Sequence, residues 1–292
     1  MTCDVVIPTR DRPTAVRMAV SSALAAVGED GNVIVVDNAS TPPAAEALAQ
    51  IRDPRLCLVV NPGPHGPAAS RNLGVAQSRA ATVFFLDDDD ALLPDYIARI
   101  EALRAGRARA ARFGFAAMRR RRRVMGARRS GPLDAATPLD ARLTAFCAGV
   151  WIERALFEEI GGIDTALDVN EDTEFFLRLA AAGAEGWYSA EPGVVIRPHP
   201  APGDLPSITD RTEAARRAGA FEHILDRHAV FLADHPRTRH RLARRVVKYR
   251  ARAGDHAAAK AFARAQSCGW RDALLLGLEA RLTAFATRIP GR

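Results

Sequence analysis

The chain has 292 residues, of which 48% are hydrophobic and 26% charged, and it carries a net charge of +7. This composition is typical of a globular protein with one large domain or two smaller ones. No apolar run approaches the ~18 residues of a membrane span, and the four cysteines lie far apart without a CxxC pair. We therefore expect reduced cysteines in core positions. A predicted strand begins at about residue 3, where a signal peptide would have to lie, so we also expect a cytoplasmic location.

The charge is distributed unevenly along the chain. Residues 211–292 contain 18 Lys and Arg against 7 Asp and Glu, whereas residues 1–210 contain 23 against 27. A basic region of this kind suits an anionic membrane face or nucleic acid. Because no aromatic-rich or zinc-binding pattern accompanies the arginines, we expect no nucleic acid. We predict instead a peripheral contact with the anionic inner face of a membrane, or with a partner.

Strands and helices alternate through the first ninety residues. Strands are predicted at residues 3–8, 32–37, 55–60 and 83–86, and helices at residues 13–27, 41–51 and 68–76. The strands are almost wholly apolar, which is typical of a parallel sheet covered by helices on both faces. In such sheets ligands bind beyond the carboxyl ends of the strands. Thr9, Arg10, Asp37 and Asp87–Asp90 each follow a strand, so we expect them at that edge.

Four consecutive carboxylates, Asp87–Asp90, follow the apolar run Val83–Leu86. They repel one another and cannot be buried without a partner. Carboxylate oxygens suit Mg²⁺ or Mn²⁺, and a metal held there would bridge the protein to a phosphate-bearing substrate. The alternative is an acidic loop or a helix N-terminus, which the helix dipole favours. The position at the open end of a core strand favours the metal interpretation.

Further elements follow the aspartates, beginning with a helix and a strand. Elements are predicted at residues 94–104 (helix), 111–118 (strand), 144–152 (strand), 154–160 (helix) and 171–182 (helix), with two short strands at Tyr188 and residues 194–196. Arg119–Arg123 follow the strand at 111–118, and Arg128 and Arg129 come soon after. Such a run indicates a solvated hairpin edge, which also discourages edge pairing. The alternative is contact with an anionic acceptor or a lipid surface.

Strand patterns stop at about Ser207. Helices are predicted at about residues 212–233, 238–252, 256–268 and 272–289, with Gly254 and Gly269 between the later ones. We therefore predict two domains, an α/β domain over residues 1–206 and a basic, all-helical C-terminal region over residues 207–292.

Six motifs lie between residues 5 and 179: Val5–Arg12, Val33–Ser40, Ala69–Gly74, Phe84–Asp90, Gly161–Asp164 and Asn170–Leu179. In this order and spacing they resemble family 2 glycosyltransferases, and the resemblance covers roughly residues 3–200. It implies a GT-A fold, which is a Rossmann-like, mostly parallel sheet flanked by helices. It also implies a nucleotide-sugar donor, a divalent metal (Mg²⁺ or Mn²⁺) and inversion at the anomeric carbon.

The resemblance assigns roles to individual residues. The implied nucleotide-sugar contacts are Pro8, Thr9, Arg10, Asp37, Arg71, Asp87 and Asp88. Among them, Asp37 would accept from a pyrimidine N–H and Asp87 would reach the ribose. Asp89 is implied as a metal ligand, and His199 as a late residue that completes the metal or diphosphate site. Three of these residues also have a purely structural alternative. Asp37 can cap a strand end, Arg71 can be a surface arginine and His199 a loop histidine.

The pair Glu171–Asp172 lies where the family has its catalytic base. The resemblance implies Asp172 as that base, which deprotonates the acceptor hydroxyl opposite the leaving group. Glu171 is a candidate acceptor or accessory contact. Alternatively, both carboxylates simply begin a helix, where the dipole stabilises negative charge.

The sequence leaves three functions open. An inverting glycosyltransferase, assembling a cell-surface polysaccharide or glycoconjugate from a UDP-sugar and a glycan or lipid-linked acceptor, accounts for every strand-end carboxylate. A sugar-phosphate nucleotidyltransferase would need a glycine-rich phosphate loop after the first strand, and Pro8–Pro13 contains no glycine. A non-catalytic nucleotide-binding scaffold on the same fold is the third.

Overall fold

The structure, a computed structural model, describes residues 2–144, 147–197, 204–206 and 208–266. The chain divides into two compact units, Met1–Ser207 and Ile208–Arg292. The described part of the first unit is a mixed α/β structure, and that of the second is helical.

The first unit is built on one sheet. Its strands are β1 (Cys3–Thr9), β2 (Val33–Asp37), β3 (Leu56–Val60), β4 (Thr82–Phe85), β5 (Asp90–Leu92), β6 (Phe113–Arg120), β7 (Arg123–Met125), β8 (Gly131–Leu133), β9 (Trp151–Glu153) and β10 (Gly186–Ile196). Its helices are α1 (Pro13–Ala26), α2 (Ala44–Leu48), α3 (Pro67–Gln77), α4 (Tyr96–Ala105), α5 (Leu139–Arg142), α6 (Arg154–Glu159) and α7 (Glu171–Ala181). The strand order is β3-β2-β1-β4-β9-β6-β10-β5, with β7 paired to β6 and β8 to β10.

The N-terminal half of the sheet is parallel, as the apolar strands predict. Strand β1 pairs with β2 on one side and with β4 on the other, and β2 pairs with β3, all in parallel. Val5, Val6 and Ile7 are completely buried because helices cover both faces of the sheet. Parallel pairing brings the carboxyl ends of β1, β2 and β4 to the same edge.

The C-terminal half of the sheet differs from the sequence prediction at β9 and β10, and the short strands β5 and β8 were not predicted. The strand predicted at residues 144–152 is confined to β9, which pairs antiparallel with both β4 and β6. The two short strands predicted near Tyr188 and residues 194–196 form the single strand β10. Register shifts on either side of Pro192 interrupt its pairing with β6, so the apolar pattern loses its period of two there and reads as two strands.

Two apolar cores lie on the two faces of the sheet. One contains the inner face of α1 and residues of α4, including Tyr96 and Ile100. The other contains a cluster of aromatic rings in which Phe176 of α7 contacts Phe113 and Phe115. This second core fixes the position of α7, whose first turn carries Glu171 and Asp172.

Helix α3 is tied closely to its neighbours through the motif Ala69–Gly74. A Cβ on Gly74 would lie 2.3 Å from Val6, so glycine allows α3 to pack directly on β1. The Asn72 amide donates to the carbonyl of Ile163 and accepts from its N–H, both at 2.8 Å. Gly162, at φ 68°, lies against the same amide. The motif therefore fixes α3 against both the sheet and the turn that precedes α7.

The described part of the second unit contains α8 (Ile208–Arg211), α9 (Ala214–Arg227), α10 (Ala229–Ala233), α11 (Pro236–Arg252) and α12 (His256–Ala265). The helix predicted at 212–233 is divided at His228, and the helix predicted at 272–289 lies outside the described residues. Among the described helices, none has the length and apolar character needed to cross a membrane. Among the described cysteines, Cys3 and Cys147 are buried as expected, whereas Cys57 on β3 is exposed, so the expected core position is wrong for that residue. Cys268 lies outside the described residues.

Candidate active site

The candidate site lies at the carboxyl edge of the parallel strands. Thr9 ends β1 opposite Asp37 at the end of β2, in register. Strand β4 lies on the other side of β1 and leads into Asp87–Asp90. The parallel topology therefore brings together polar residues that are up to 80 positions apart in the chain.

Asp88 turns inward rather than toward an open pocket. It is 5% exposed and accepts from Thr9 Oγ1 at 2.8 Å and from Arg12 Nη1 at 2.7 Å. Burial raises the pKa of Asp88 to about 7, against the opposing effect of Arg12. Asp88 therefore connects β1 to the aspartate segment, and its contact with a nucleotide-sugar stays a prediction.

Arg12 is a site residue that the sequence did not single out. Its Nη1 also donates to Asp89 Oδ2 at 2.5 Å, while Nε and Nη2 donate to the carbonyls of Leu205 and Pro206. The Asp204 carboxylate accepts from two backbone N–H groups in the first turn of α1. Arg12 and Asp204 thus hold the segment 204–206 beside the aspartates. Arg12 lies within the first motif, two residues after Arg10, but only the fold reveals which of these arginines turns inward.

Asp87, Asp89 and Asp90 form a group that fits a divalent cation. Each offers one carboxylate oxygen, and these oxygens all lie within 4.8 Å of one another. Burial, followed by the charges of Asp87 and Asp89, raises the pKa of Asp90 to about 8. An all-oxygen donor set of this kind suits Mg²⁺ or Mn²⁺. Asp89 is the predicted ligand, Asp87 was placed with the nucleotide contacts, and Asp90 had been assigned no role of its own.

Arg71 joins the aspartate segment to helix α7. This arginine is 5% exposed, and it donates from Nη2 to Asp87 Oδ1 at 2.6 Å and from Nη1 to Glu171 Oε1 at 2.8 Å. The neighbouring carboxylates raise the pKa of Arg71 even though burial opposes the charge. Its Nε is buried and has no hydrogen-bond partner among the described residues. The structure excludes the surface-arginine interpretation, and the predicted nucleotide contact of Arg71 stays a prediction.

Asp172 follows directly after Glu171, in the first turn of α7. Its Oδ1 accepts from its neighbour Thr173, from the backbone N–H at 2.6 Å and from the hydroxyl at 3.3 Å. Burial, followed by the charge of Glu171, raises the pKa of Asp172 to about 7. Burial also raises the pKa of Glu171, although Arg71 opposes this. Arg71 donates a hydrogen bond to Glu171. Among the described residues, Thr173 is the one whose side chain hydrogen-bonds to Asp172.

Asp37 holds the loop after β2. Its carboxylate accepts from the backbone N–H groups of Ser40 at 2.9 Å and Ala44 at 2.8 Å. The structure therefore supports the capping interpretation, and a contact between Asp37 and a base stays a prediction.

A pocket of about 330 Å³ lies between this loop and the start of α1. Its polar wall includes Thr9 and Ser40, and its apolar wall includes Val16, Ala47 and Leu205. Pro8 lies on β1 beside the pocket, whereas the Arg10 side chain is 52% exposed and its Nε lies 3.5 Å from Asp11. His199 lies outside the described residues.

A mostly parallel sheet with carboxylates at its carboxyl edge defines the fold as GT-A-like. A solved structure of S. aureus TarS aligns with 98% of this chain and 54% of its own, at a TM-score of 0.68 and 14% identity. A second, TarS 1-349 in complex with UDP-GlcNAc, aligns with 98% of this chain and 89% of its own, at a TM-score of 0.65 and 15% identity. At this level of identity the likeness concerns the fold alone.

The chain belongs to glycosyl transferase family 2, whose family model matches residues 4–150. The succinoglycan biosynthesis protein ExoO of Rhizobium meliloti (strain 1021) is 37% identical over 82 residues, which are 28% of this chain and 24% of that protein. ExoW of the same organism, also a succinoglycan biosynthesis protein, is 36% identical over 99 residues, 32% of this chain and 31% of its own length. The matches thus span a quarter to a third of these relatives.

The ion pairs of Arg71 with Asp87 and Glu171 predict a pH-dependent loss of stability in Arg71→Ala. Without the guanidinium, Asp87 and Glu171 lose their partner, which costs about 3–5 kcal/mol for a buried pair at pH 8. The loss should be smaller at pH 5, because burial raises the pKa of Glu171 and its protonation then removes the unpaired charge at less cost. Urea unfolding at both pH values measures the difference. Arg154→Ala, which breaks the exposed pair with Glu158, should cost about 1 kcal/mol or less at either pH. Equal losses for the two variants would contradict the bridge.

Proposed function

We propose that the protein is an inverting glycosyltransferase that transfers a sugar from a nucleotide-sugar donor, with a UDP-sugar favoured, to a hydroxyl acceptor. The proposal rests on the two ion pairs of Arg71, with Asp87 and with Glu171. They join the group of carboxylates that fits a metal ion to the helix turn that bears Asp172. Membership of glycosyl transferase family 2 supports sugar transfer. The two relatives named for succinoglycan biosynthesis support an acceptor in polysaccharide or glycoconjugate assembly.

The donor would lie along the carboxyl edge of β1, β2 and β4. The pocket beside Thr9 has apolar and polar walls suited to a nucleoside, and the diphosphate would then extend toward Asp89 and Asp90. The TarS complex with UDP-GlcNAc, a protein of the same fold, supports a UDP-sugar. Mg²⁺ or Mn²⁺ held by Asp87, Asp89 and Asp90 would supply charge stabilisation to the departing nucleoside diphosphate. His199 stays a candidate for the same site.

Asp172 is the proposed general base. It accepts the proton of the acceptor hydroxyl while that oxygen forms a bond to the anomeric carbon and the bond to the diphosphate breaks on the opposite face. A pKa of about 7 suits this role, because a base near the working pH combines an ionised form with strong proton affinity. Glu171 is committed to Arg71, and we assign it to the orientation of α7 and the acceptor end of the site.

Metal-dependent nucleotide binding tests the donor site. The wild type should bind UDP more tightly than GDP or dTDP in the presence of Mn²⁺, and EDTA should weaken UDP binding at least about tenfold. Asp89→Asn should remove the effect of Mn²⁺. Asp30→Asn is the matched control, since Asp30 is exposed and lies before β2, at the opposite edge of the sheet. Equal UDP affinity with and without EDTA in wild type would contradict the metal site.

Turnover in Asp172→Asn tests the base. We expect a drop of about 10²–10⁴-fold in kcat with UDP binding unchanged, because general-base catalysis contributes a factor of that size. In wild type, kcat/KM should fall as pH decreases below about 7, since protonation of Asp172 removes the base. Glu171→Gln should affect kcat less. Near-wild-type turnover in Asp172→Asn would refute the assignment, and UDP binding without any sugar transfer would indicate a non-catalytic binding protein.

We also propose that the helical unit makes a peripheral contact with an anionic membrane. Helix α11 carries Arg and Lys at eight of its positions and no acidic residue, while Leu242, Val246 and Val247 form its buried face. Such a basic helix surface suits anionic headgroups, which attract each nearby cation by about 1 kcal/mol.

Co-sedimentation with vesicles tests this contact. The protein should bind phosphatidylglycerol vesicles but not phosphatidylcholine vesicles, and binding should weaken as salt rises. The triple variant Arg241→Gln, Arg244→Gln, Arg245→Gln should bind several-fold less, because three of the charges on α11 are removed. Substituting three exposed arginines of the first unit, Arg52, Arg79 and Arg109, should have little effect. Equal binding by both triple variants would exclude α11 as the contact.

A further inference from the structure

The hairpin formed by the end of β6, β7 and the loop that follows carries a dense, uncompensated positive charge. We call residues 119–129 the arginine hairpin, and its seven arginines are Arg119, Arg120, Arg121, Arg122, Arg123, Arg128 and Arg129. All seven are exposed, and none forms an ion pair within the described part of the chain. The sequence contains no acidic residue from 119 to 133.

Folding alone does not account for this charge. The two strands pair in antiparallel register, with Arg120 directly opposite Arg123, and like charges in that position destabilise a hairpin. Charged side chains are only one of several ways to protect a sheet edge against pairing, beside short edge strands, bulges and proline. Seven arginines therefore cost stability unless an anion binds to them.

The arginine hairpin extends from the same edge of the sheet as the candidate active site. In the strand register, Arg120 is opposite Ile196 of β10, and Ile196 is opposite Asp90 of β5. Two strand spacings place the Cα of Arg120 roughly 10 Å from that of Asp90. The hairpin thus begins next to the aspartate segment and three strands away from β1, where the nucleoside pocket lies.

The charge at the carboxyl edge of the sheet indicates which kind of acceptor would benefit from the arginine hairpin. Asp87–Asp90, Glu171 and Asp172 make the site strongly acidic, and the two buried arginines Arg12 and Arg71 neutralise only part of it. A neutral acceptor would approach such a site without a basic surface, whereas an anionic acceptor would be repelled. A basic surface beside the site removes that repulsion.

We propose that the arginine hairpin binds an anionic acceptor glycan, a chain of sugars bearing carboxylate or phosphate groups, and holds it beside Asp172. This inference rests on the proposed glycosyl transfer. Guanidinium groups bind carboxylate and phosphate oxygens in bidentate geometry. The acceptor chain would lie along the hairpin while its terminal hydroxyl enters the site.

The geometry favours a chain over a bilayer. Successive residues of a strand point to opposite faces, so Arg119 and Arg120 extend from opposite faces of the hairpin. A flat bilayer would contact only one of these faces, whereas a flexible glycan can contact both. Val124 is the one large apolar side chain of the hairpin that is mostly exposed, at 57%, which offers little area for insertion among lipids.

Binding of a labelled, carboxylated sugar chain tests the proposal. The probe is fluorescein-labelled oligogalacturonate, with a labelled maltooligosaccharide of the same length as the neutral control. The wild type should bind the first and not the second, with affinity falling between about 50 and 200 mM salt. The triple variant Arg121→Gln, Arg122→Gln, Arg123→Gln should weaken binding about tenfold. Replacement of the same three arginines by lysine should weaken it less, because the charge is kept while the bidentate contacts are lost.

The matched control removes the same charge from the opposite edge of the sheet. Arg52, Arg79 and Arg109 are exposed and precede β3, β4 and β6, respectively, so their replacement by glutamine should weaken binding about twofold at most. All variants should retain Mn²⁺-dependent UDP affinity. None should have a Tm below that of the wild type, and the hairpin triple should raise it slightly, because Arg123→Gln removes the repulsion with Arg120. Equal losses in the two glutamine triples would overturn the proposal, as would a hairpin variant that loses phosphatidylglycerol vesicles but keeps the glycan. Absence of UDP binding in every protein, with hairpin-dependent glycan binding intact, would instead contradict the proposed transfer.

Discussion

Repulsion among six carboxylates at one edge of a sheet is the constraint on which this structure depends. Asp87–Asp90 and the pair Glu171–Asp172 come from segments 80 residues apart, and burial makes their negative charge costly. Arg71 relieves this cost on one side by joining Asp87 to Glu171, and Arg12 relieves it on the other by joining Asp88 to Asp89. Two guanidinium groups among six carboxyl groups leave an excess of acidic groups, and a divalent cation at Asp87, Asp89 and Asp90 would stabilise their ionised forms.

The packing of the fold keeps this arrangement rigid. Gly74 and Asn72 fix α3, which carries Arg71, against β1 and the turn at Gly162. The aromatic core under Phe176 fixes α7, so that the first turn of that helix stays at the sheet edge. A site built on packed helices and strands would keep the proposed base Asp172 and the candidate cation site in a constant relation, as the proposed inverting displacement requires.

Sequence patterns predicted most of the fold because its strands are apolar and its motifs follow directly after them. The carboxyl-edge position of Thr9, Asp37 and Asp87 follows from parallel topology alone, whereas the inward turn of Arg12 and Asp88 depends on side-chain packing that no spacing encodes. Strand β10 was read as two strands because the register shifts around Pro192 break its period. The sequence does not decide whether the arginine run is a solvated edge or a binding surface, and only the register from Arg120 through Ile196 to Asp90 places it beside the site.

We propose that Asp87, Asp89 and Asp90, which follow β4, hold a divalent metal against a nucleoside diphosphate, next to Asp172. Anomalous diffraction from a crystal grown with Mn²⁺ and UDP tests it most directly. We expect an anomalous peak within bonding distance of carboxylate oxygens of Asp89 and of at least one of Asp87 and Asp90, with the uracil in the pocket beside Thr9. A nucleotide bound in that pocket without a Mn²⁺ peak at these aspartates, or with the metal held elsewhere, would contradict it.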